Sequence, residues 1–238
     1  MRYFIVKSDH HIVEAGSQLE GVDTAARARA VVEKICSEQV PVECVIDLGD
    51  VADTVLNPRR AEAEASREAY NHAAEVLAPL NDRTLYIPGN HDTPEFLYER
   101  LGNRWSSSRS GCMVHELAGL TLIGVDFRTG PIATGELREE TAFELSKALE
   151  KSGRCVIVSH YPWRPCDNAW LEANGRITNR ERVAEILSPH RDKILGAFYG
   201  HLHTWWTGTH AGMPMFGCGG SAGAFTFEPG SAPHHKDL

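Results

Sequence analysis

The chain has 238 residues, 42% of them hydrophobic and 24% charged, with a formal net charge of −8. This excludes a disordered or fibrous protein, provides for one sizeable core, and disfavours tight binding to long nucleic acid, which needs a basic footprint. A small anionic substrate stays compatible with it, because bound metal ions can reverse the local field.

Residues 3–6 read as a first strand, and the N-terminal segment turns polar too soon for a signal peptide. No stretch is long and apolar enough for a transmembrane helix, so no membrane partner is expected. Over 24–36, Ala25, Ala28, Val31, Val32 and Ile35 fall at helical spacing behind Asp23, a candidate N-cap. Residues 44–48 form a second strand. Asn57-Pro58 is a helix-start signal, and 61–77 continues as a helix. A third strand covers 84–87, and Thr93-Pro94 opens a helix ending near Gly102. Residues 112–117 and 120–125 flank Ala118-Gly119 as a hairpin. Then come a helix over 137–149, a strand over 155–159, a helix over 180–187 and a strand over 194–199. Two or three short strands are expected within 205–227.

Strands alternating with helices imply a mostly parallel α/β sheet, and the hairpin and C-terminal strands imply a second sheet packed on it. One domain over 1–230 is expected, with a flexible C-terminal tail over 231–238. Cys36, Cys44, Cys112, Cys155, Cys166 and Cys218 show no CxxC spacing and read as reduced thiols in a cytoplasmic protein.

The residues at the strand ends carry the chemistry. After 3–6 comes Ser8-Asp9-His10-His11, and after 44–48 comes Gly49-Asp50-Val51-Ala52-Asp53. After 84–87 comes Gly89-Asn90-His91-Asp92, after 155–159 comes His160-Tyr161-Pro162, and after 194–199 comes Gly200-His201-Leu202-His203. Five strand ends deliver Asp, Asn or His to one sheet edge, where open α/β sheets bind ligands. Carboxylates, imidazoles and an amide oxygen suit metals such as Mn, Fe and Zn. On extended segments, Asp9-x-His11 and His201-x-His203 would each point both side chains to one side. Gly49, Gly89 and Gly200 permit a sharp turn and close backbone approach beside them. Singly each motif is weak; the ordered set is specific.

In that order, Asp-x-His, Gly-Asp-x-x-Asp, Gly-Asn-His-Asp, His and Gly-His-x-His, the chain resembles the calcineurin-like metallophosphoesterases, and in style their small bacterial phosphodiesterases of the cyclic-nucleotide type. The resemblance implies a four-layer αββα sandwich, two mixed sheets flanked by helices. It implies two metal ions, with Mn or Fe preferred and Zn the alternative. Asp9, His11 and His203 would hold the first, Asn90, His160 and His201 the second, and Asp50 both. His91 would act as general acid or phosphate contact, oriented by Asp92. The implied function is metal-dependent hydrolysis of a small phosphodiester or nucleotide. A phosphomonoester or nucleotide pyrophosphate is the alternative. A non-catalytic scaffold is disfavoured, because each ligand position and His91 is present. The chain carries Tyr161 where such phosphodiesterases often have a second His. His10 is read as solvent-facing, with substrate contact as the alternative, and Asp53 as a cap or supporting acceptor. Arg128 and Arg164 are candidate phosphate contacts, and Trp205 and Trp206 are candidates to stack on a base or pack a sheet edge.

Overall fold

Cys155-Val156-Ile157-Val158 is apolar without interruption, and such a strand needs cover on both faces. The computed structural model, which describes residues 3–56, 63–166, 168–226 and 234–236, supplies it. In chain order the elements are β1 (Tyr3–Lys7), α1 (Thr24–Ser37), β2 (Val42–Asp47), α2 (Ala63–Asn81), β3 (Thr84–Tyr86), α3 (Pro94–Leu101), β4 (Ser107–Arg109), β5 (Cys112–Leu117), β6 (Leu120–Val125) and α4 (Glu139–Lys151). They continue as β7 (Cys155–Ser159), α5 (Ala169–Asn174), α6 (Arg180–Leu187), a 3₁₀ segment (Ser188–Lys193), β8 (Ile194–Tyr199), β9 (Trp206–His210), β10 (Met213–Gly217), β11 (Ala224–Thr226) and β12 (His234–Lys236).

One sheet is all parallel, in the order β1-β2-β3. The second has seven strands in the order β4-β5-β6-β7-β8-β10-β9 and is mixed: β6, β7, β8 and β10 run parallel, with antiparallel partners at both edges. Side-chain alternation assigns each strand to two cores. Ile46, Leu85, Leu122, Val156 and Val158 fill the layer between the sheets. Their neighbours Val45 and Tyr86 face the other way, toward Ala28, Val32, Ala69, Leu77 and Leu97 of α1, α2 and α3. Ile123, Ile157 and Ala197 pack on Leu145, Leu149, Val183 and Leu187 of α4 and α6. The result is the four-layer αββα sandwich.

Local signals place most elements. Asp23 Oδ1 accepts the Ala26 N–H at 2.8 Å and starts α1, while Gly102 caps α3. The expected start of α2, with Asn57, Pro58 and Ala61, lies outside the described residues. The helix runs on to Asn81 and includes Pro79 near its end. α4 begins two residues later than expected, since the Leu137 carbonyl, which a helix starting there would use, accepts from Asn179 Nδ2 at 3.0 Å instead. β4 and α5 have no counterpart in the sequence reading. Of the tail expected over 231–238, residues His234–Lys236 pair with β11, and the rest lies outside the described residues.

Candidate metal centre

The loops after β1 and β2 hold each other beyond the strands. Asp9 N–H donates to Gly49 O, His10 and His11 N–H to Asp50 O, and Ile12 N–H to Val51 O, at 2.9–3.0 Å. Within this pairing Asp9, His11 and Asp50 take φ of 55°, 47° and 52°, and His201 and His203 take 67° and 49°. Left-handed backbone costs a non-glycine residue about 1–3 kcal/mol and persists where the surroundings enforce it. Asp9 and His11, like His201 and His203, therefore converge through alternate left-handed residues and not through the pleat of an extended strand. That corrects the physical reason given for their spacing.

The seven expected ligands come together. His203 Nε2 lies 3.4 Å from Asp9 Oδ1 and 3.1 Å from His11 Nε2. Asp50 Oδ2 lies 3.5 Å from His11 Nε2 and 3.3 Å from His160 Nε2. His160 Nε2 is 3.1 Å from both Asn90 Oδ1 and His201 Nδ1. Asp9, His11 and His203 form one group able to hold an ion, and Asp50, His160 and His201 another.

The ring nitrogens show what the centre accepts. His160 Nδ1–H donates to Leu48 O at 2.9 Å and His203 Nδ1–H to Gly223 O at 3.0 Å. His11 Nδ1 is bonded to Asp53 Oδ2 at 2.9 Å, and His201 to the Ala133 backbone. Each imidazole thus has one nitrogen occupied and turns the other inward, toward other lone pairs and carboxylate or amide oxygens. Such a cluster of acceptors requires positive charge at its centre. Burial opposes a proton on His160, but Asp50 and Asp9 outweigh it and lift its pKa to about 9. Burial and the adjacent His160 push His201 down to about 3. Burial and the neighbouring Asp50 raise Asp9 to about 6 against the pull of His160. The donor set, four imidazoles with two carboxylates and an amide oxygen, fits divalent metal ions, and the outer hydrogen bonds fix the tautomers in the manner of metal-ligating histidines.

Close approach explains the glycines. A Cβ on Gly89 would sit 2.1 Å from Asp50 Oδ1, and one on Gly200 would sit 2.0 Å from Ser8 Oγ. Gly89→Ala is expected to displace the Asp50 carboxylate and weaken metal binding by about 10–100-fold, the loss seen when ligand orientation fails. Elemental analysis after dialysis against graded chelator checks this.

His91 stands at the edge with its side chain 14% exposed. Its Nδ1 bonds Asp53 Oδ2 at 3.0 Å, leaving Nε2 for substrate. Burial would lower its pKa, but Asp50 and Asp53 outweigh that and hold it up at about 9. Asp53, not Asp92, orients His91. The Asp92 carboxylate accepts the N–H groups of Gly89 (2.9 Å), Val51 (3.1 Å) and Ala52 (3.2 Å) and the Tyr70 hydroxyl (2.8 Å), which pins two ligand loops together and leaves nothing for the imidazole. The catalytic assignment of Asp92 is corrected accordingly. Asp53 carries a double duty, since the same Oδ2 serves His11 and His91.

His10 is corrected too: it is fully buried and meets neither solvent nor substrate. Its Nε2 lies 2.9 Å from Lys7 Nζ, and its Nδ1 lies 2.5 Å from Ser221 Oγ. Lys7 pairs with Asp47. Burial opposes ionisation of Asp47, but Lys7 and then His10 outweigh it and hold its pKa down at about 2. A depressed carboxyl stabilises the fold above its unfolded value of 3.8, and this contribution is lost as pH falls toward about 2. Asp47→Asn, which strands a buried Lys7, is expected to cost about 3–5 kcal/mol at neutral pH. Urea midpoints across this pH range check it, and the substituted protein should show a shallower acid decline.

Arg128 is paired with Asp126 at 2.8 Å. Arg164 donates to the Tyr199 hydroxyl at 2.7 Å and lies 3.9 Å over the Trp206 ring, so both arginines are engaged and Trp206 packs the sheet edge. Trp205 is 82% exposed and borders a different cavity. Tyr161 is buried, its ring 4.7 Å from that of His201 and its hydroxyl bonded to Ile132 O at 2.9 Å. The aromatic residue at the centre that sequence reasoning missed is Trp170, on α5. Asn168 before this helix and Gly175 after it are the start and stop signals that mark it.

This chain belongs to the calcineurin-like phosphoesterase family, whose sequence profile matches residues 3–205. It is a metal-dependent phosphoester hydrolase, and its clustered carboxylates and imidazoles support a centre for two metal ions. It is similar to the 3′,5′-cyclic adenosine monophosphate phosphodiesterase CpdA of Haemophilus influenzae, with 24% identity over 83% of this chain and 68% of the relative. A probable cyclic nucleotide phosphodiesterase of Rhodopseudomonas palustris is 28% identical over 89% of this chain and 75% of its own length. Among solved structures, a dimetal phosphatase from Danio rerio shares the fold, with a TM-score of 0.69, 18% identity and coverage of 92% of this chain and 87% of that one. Among the described residues, no helix is long and apolar enough to cross a membrane.

Proposed function

We propose that this protein is a phosphodiesterase of small nucleotides, with 3′,5′-cyclic nucleotides the first substrates to test. The observation that carries the reading is the convergence of inward-turned imidazole nitrogens with Asp9, Asp50 and Asn90, beside a cavity that His91 also borders. Asp9, His11 and His203 would hold one ion, Asn90, His160 and His201 the other, and Asp50 both. Mn or Fe suits this donor set, with Zn the alternative. When bound, two such ions supply Lewis-acid charge at the phosphoryl oxygens and activate water. Asp53 holds the His91 ring so that Nε2 faces the cavity, from where it can deliver a proton to the departing ester oxygen. The left-handed loops keep the ligands preorganised, so little reorganisation accompanies the reaction.

A diester is favoured over a monoester because Arg128 and Arg164, the side chains suited to gripping an extra phosphate charge, are engaged elsewhere. Leu19, Leu56, Ala133 and Leu171 present apolar surface to the second ester group instead. The names of the relatives support the same substrate class. Six free thiols, five of them buried, suit a reducing cytoplasm. The test compares Mn-loaded protein on bis-p-nitrophenyl phosphate, p-nitrophenyl phosphate and 3′,5′-cyclic nucleotides, with and without chelator. Faster diester hydrolysis abolished by chelator is expected. A preference for the monoester would overturn the diester reading, and turnover unaffected by chelator would overturn the metal centre.

A further inference from the structure

We propose that Trp170 is the platform on which the base of a nucleotide substrate stacks while its phosphate lies at the metal centre. This rests on the function proposed above and deepens it. The cavity beside the centre holds about 150 Å³. Cavities that enclose a whole ligand begin at roughly 300 Å³, so a nucleotide placed here must extend onto the rim. What stands there then decides which substituents bind.

Two of the large hydrophobic side chains that remain exposed border this cavity, Leu56 and Trp170, each 42% exposed. The other lining residues include His11, Asp50, His91, His201 and His203. Apolar side chains left in water beside a strongly polar centre offer surface to the organic part of a substrate whose anionic part the centre holds. Among the described lining residues Trp170 is the one aromatic side chain apart from the histidines, so it alone supplies a broad ring face.

The helix that carries it is set before any ligand arrives. Asn168 Oδ1 accepts the Trp170 N–H at 2.8 Å, and Glu172 accepts the Cys166 N–H at 2.8 Å while pairing with Arg180. The Gly175 N–H donates to Leu171 O at 2.7 Å, and a Cβ at Gly175 would meet His201 Nε2 at 3.3 Å, so the end of α5 lies directly against a residue of the centre. An aromatic side chain with few rotatable bonds, carried on a fixed helix, gains affinity at little ordering cost. Trp205 is more exposed but borders a separate cavity, and Trp206 is covered by Arg164. Neither competes for the role.

The test titrates Mn-loaded protein with adenosine 5′-monophosphate and, separately, with inorganic phosphate by calorimetry. The wild type is expected to bind the nucleotide more tightly than phosphate. Trp170→Ala should weaken nucleotide binding by about tenfold or more, the contribution of one stacked base, and leave phosphate binding and metal content unchanged. Trp170→Phe, which keeps a ring, should retain most of the nucleotide affinity, whereas Trp170→Leu, which keeps only apolar surface, should not. Equal affinity of the wild type for nucleotide and phosphate would overturn the proposal. So would a Trp170→Ala protein whose affinities for both fall together or both stay unchanged. Hydrolysis of bis-p-nitrophenyl phosphate judges the enzyme reading separately. A protein that turns over this diester yet binds nucleotide independently of Trp170 refutes the platform alone, and one that binds nucleotide through Trp170 without turnover refutes the enzyme reading alone.

Discussion

Asp50→Ala is expected to bring hydrolysis to background and to release both metal ions. The Asp50 carboxylate sits between the two ligand groups, 3.5 Å from His11 Nε2 and 3.3 Å from His160 Nε2, with Oδ1 accepting the His91 N–H at 2.8 Å. Removing it would take away the one anionic donor proposed to serve both ions and leave Asp9 as the one carboxylate among the proposed ligands. Loss of an outer hydrogen-bond partner alone weakens a metal site by about 10–100-fold, so losing this carboxylate should exceed that for each ion. Asp50→Asn separates charge from shape: it retains an oxygen donor of the same reach but no anion, and should keep one ion better than two. Elemental analysis of dialysed protein reads both variants. Two ions per chain held at wild-type affinity in Asp50→Ala would refute the bridging role.

His91→Ala is expected to lower turnover by about 10²–10⁴-fold, the usual worth of a positioned proton donor, with metal content close to wild type. The ring reaches the cavity but is tied to Asp53 through Nδ1, so its contribution is one of delivery and not of coordination. The loss should depend on the leaving group. A p-nitrophenolate departs with little protonation and should feel the missing acid least; an alkoxide should feel it most. Equal losses on both would make His91 an electrostatic contact to the phosphate. A lost metal ion would place it among the ligands.

The order of strands and the polar residues at their ends is legible in the sequence because two signals coincide there. β-branched runs such as 155–158 mark strands buried on both faces, and His160 directly after one marks the edge where ligands gather. Orientation is less accessible. Nothing local says that Asp92 turns back to collect three backbone N–H groups and the Tyr70 hydroxyl, or that Asp53, separated from His91 by 38 positions, takes the imidazole instead. His10 looks surface-bound beside two ligands; its burial becomes visible only once Lys7, Asp47 and Ser221 surround it. The left-handed backbone at five proposed ligand positions is favoured by residue type, since Asp and His adopt it several-fold more readily than most side chains, but which Asp and His take it is set by the neighbouring loops. α5 is different: Asn168 and Gly175 bracket it in the sequence, and its six residues are simply too few for a helical period to stand out.

The proposed ligands come from both halves of the sandwich. Asp9, His11, Asp50 and Asn90 follow strands of the three-stranded sheet, whereas His160, His201 and His203 follow strands of the seven-stranded one. The layer between the sheets is joined mainly by apolar side chains, which resist separation without direction. Metal ions held at the rim would act there as rivets across a seam. They would oppose sliding and hinging of one sheet over the other, motions that buried hydrocarbon alone restrains weakly, and by binding only the closed seam they would draw the folding equilibrium toward it. Catalytic competence and mechanical integrity of this sandwich would thereby share the same few atoms.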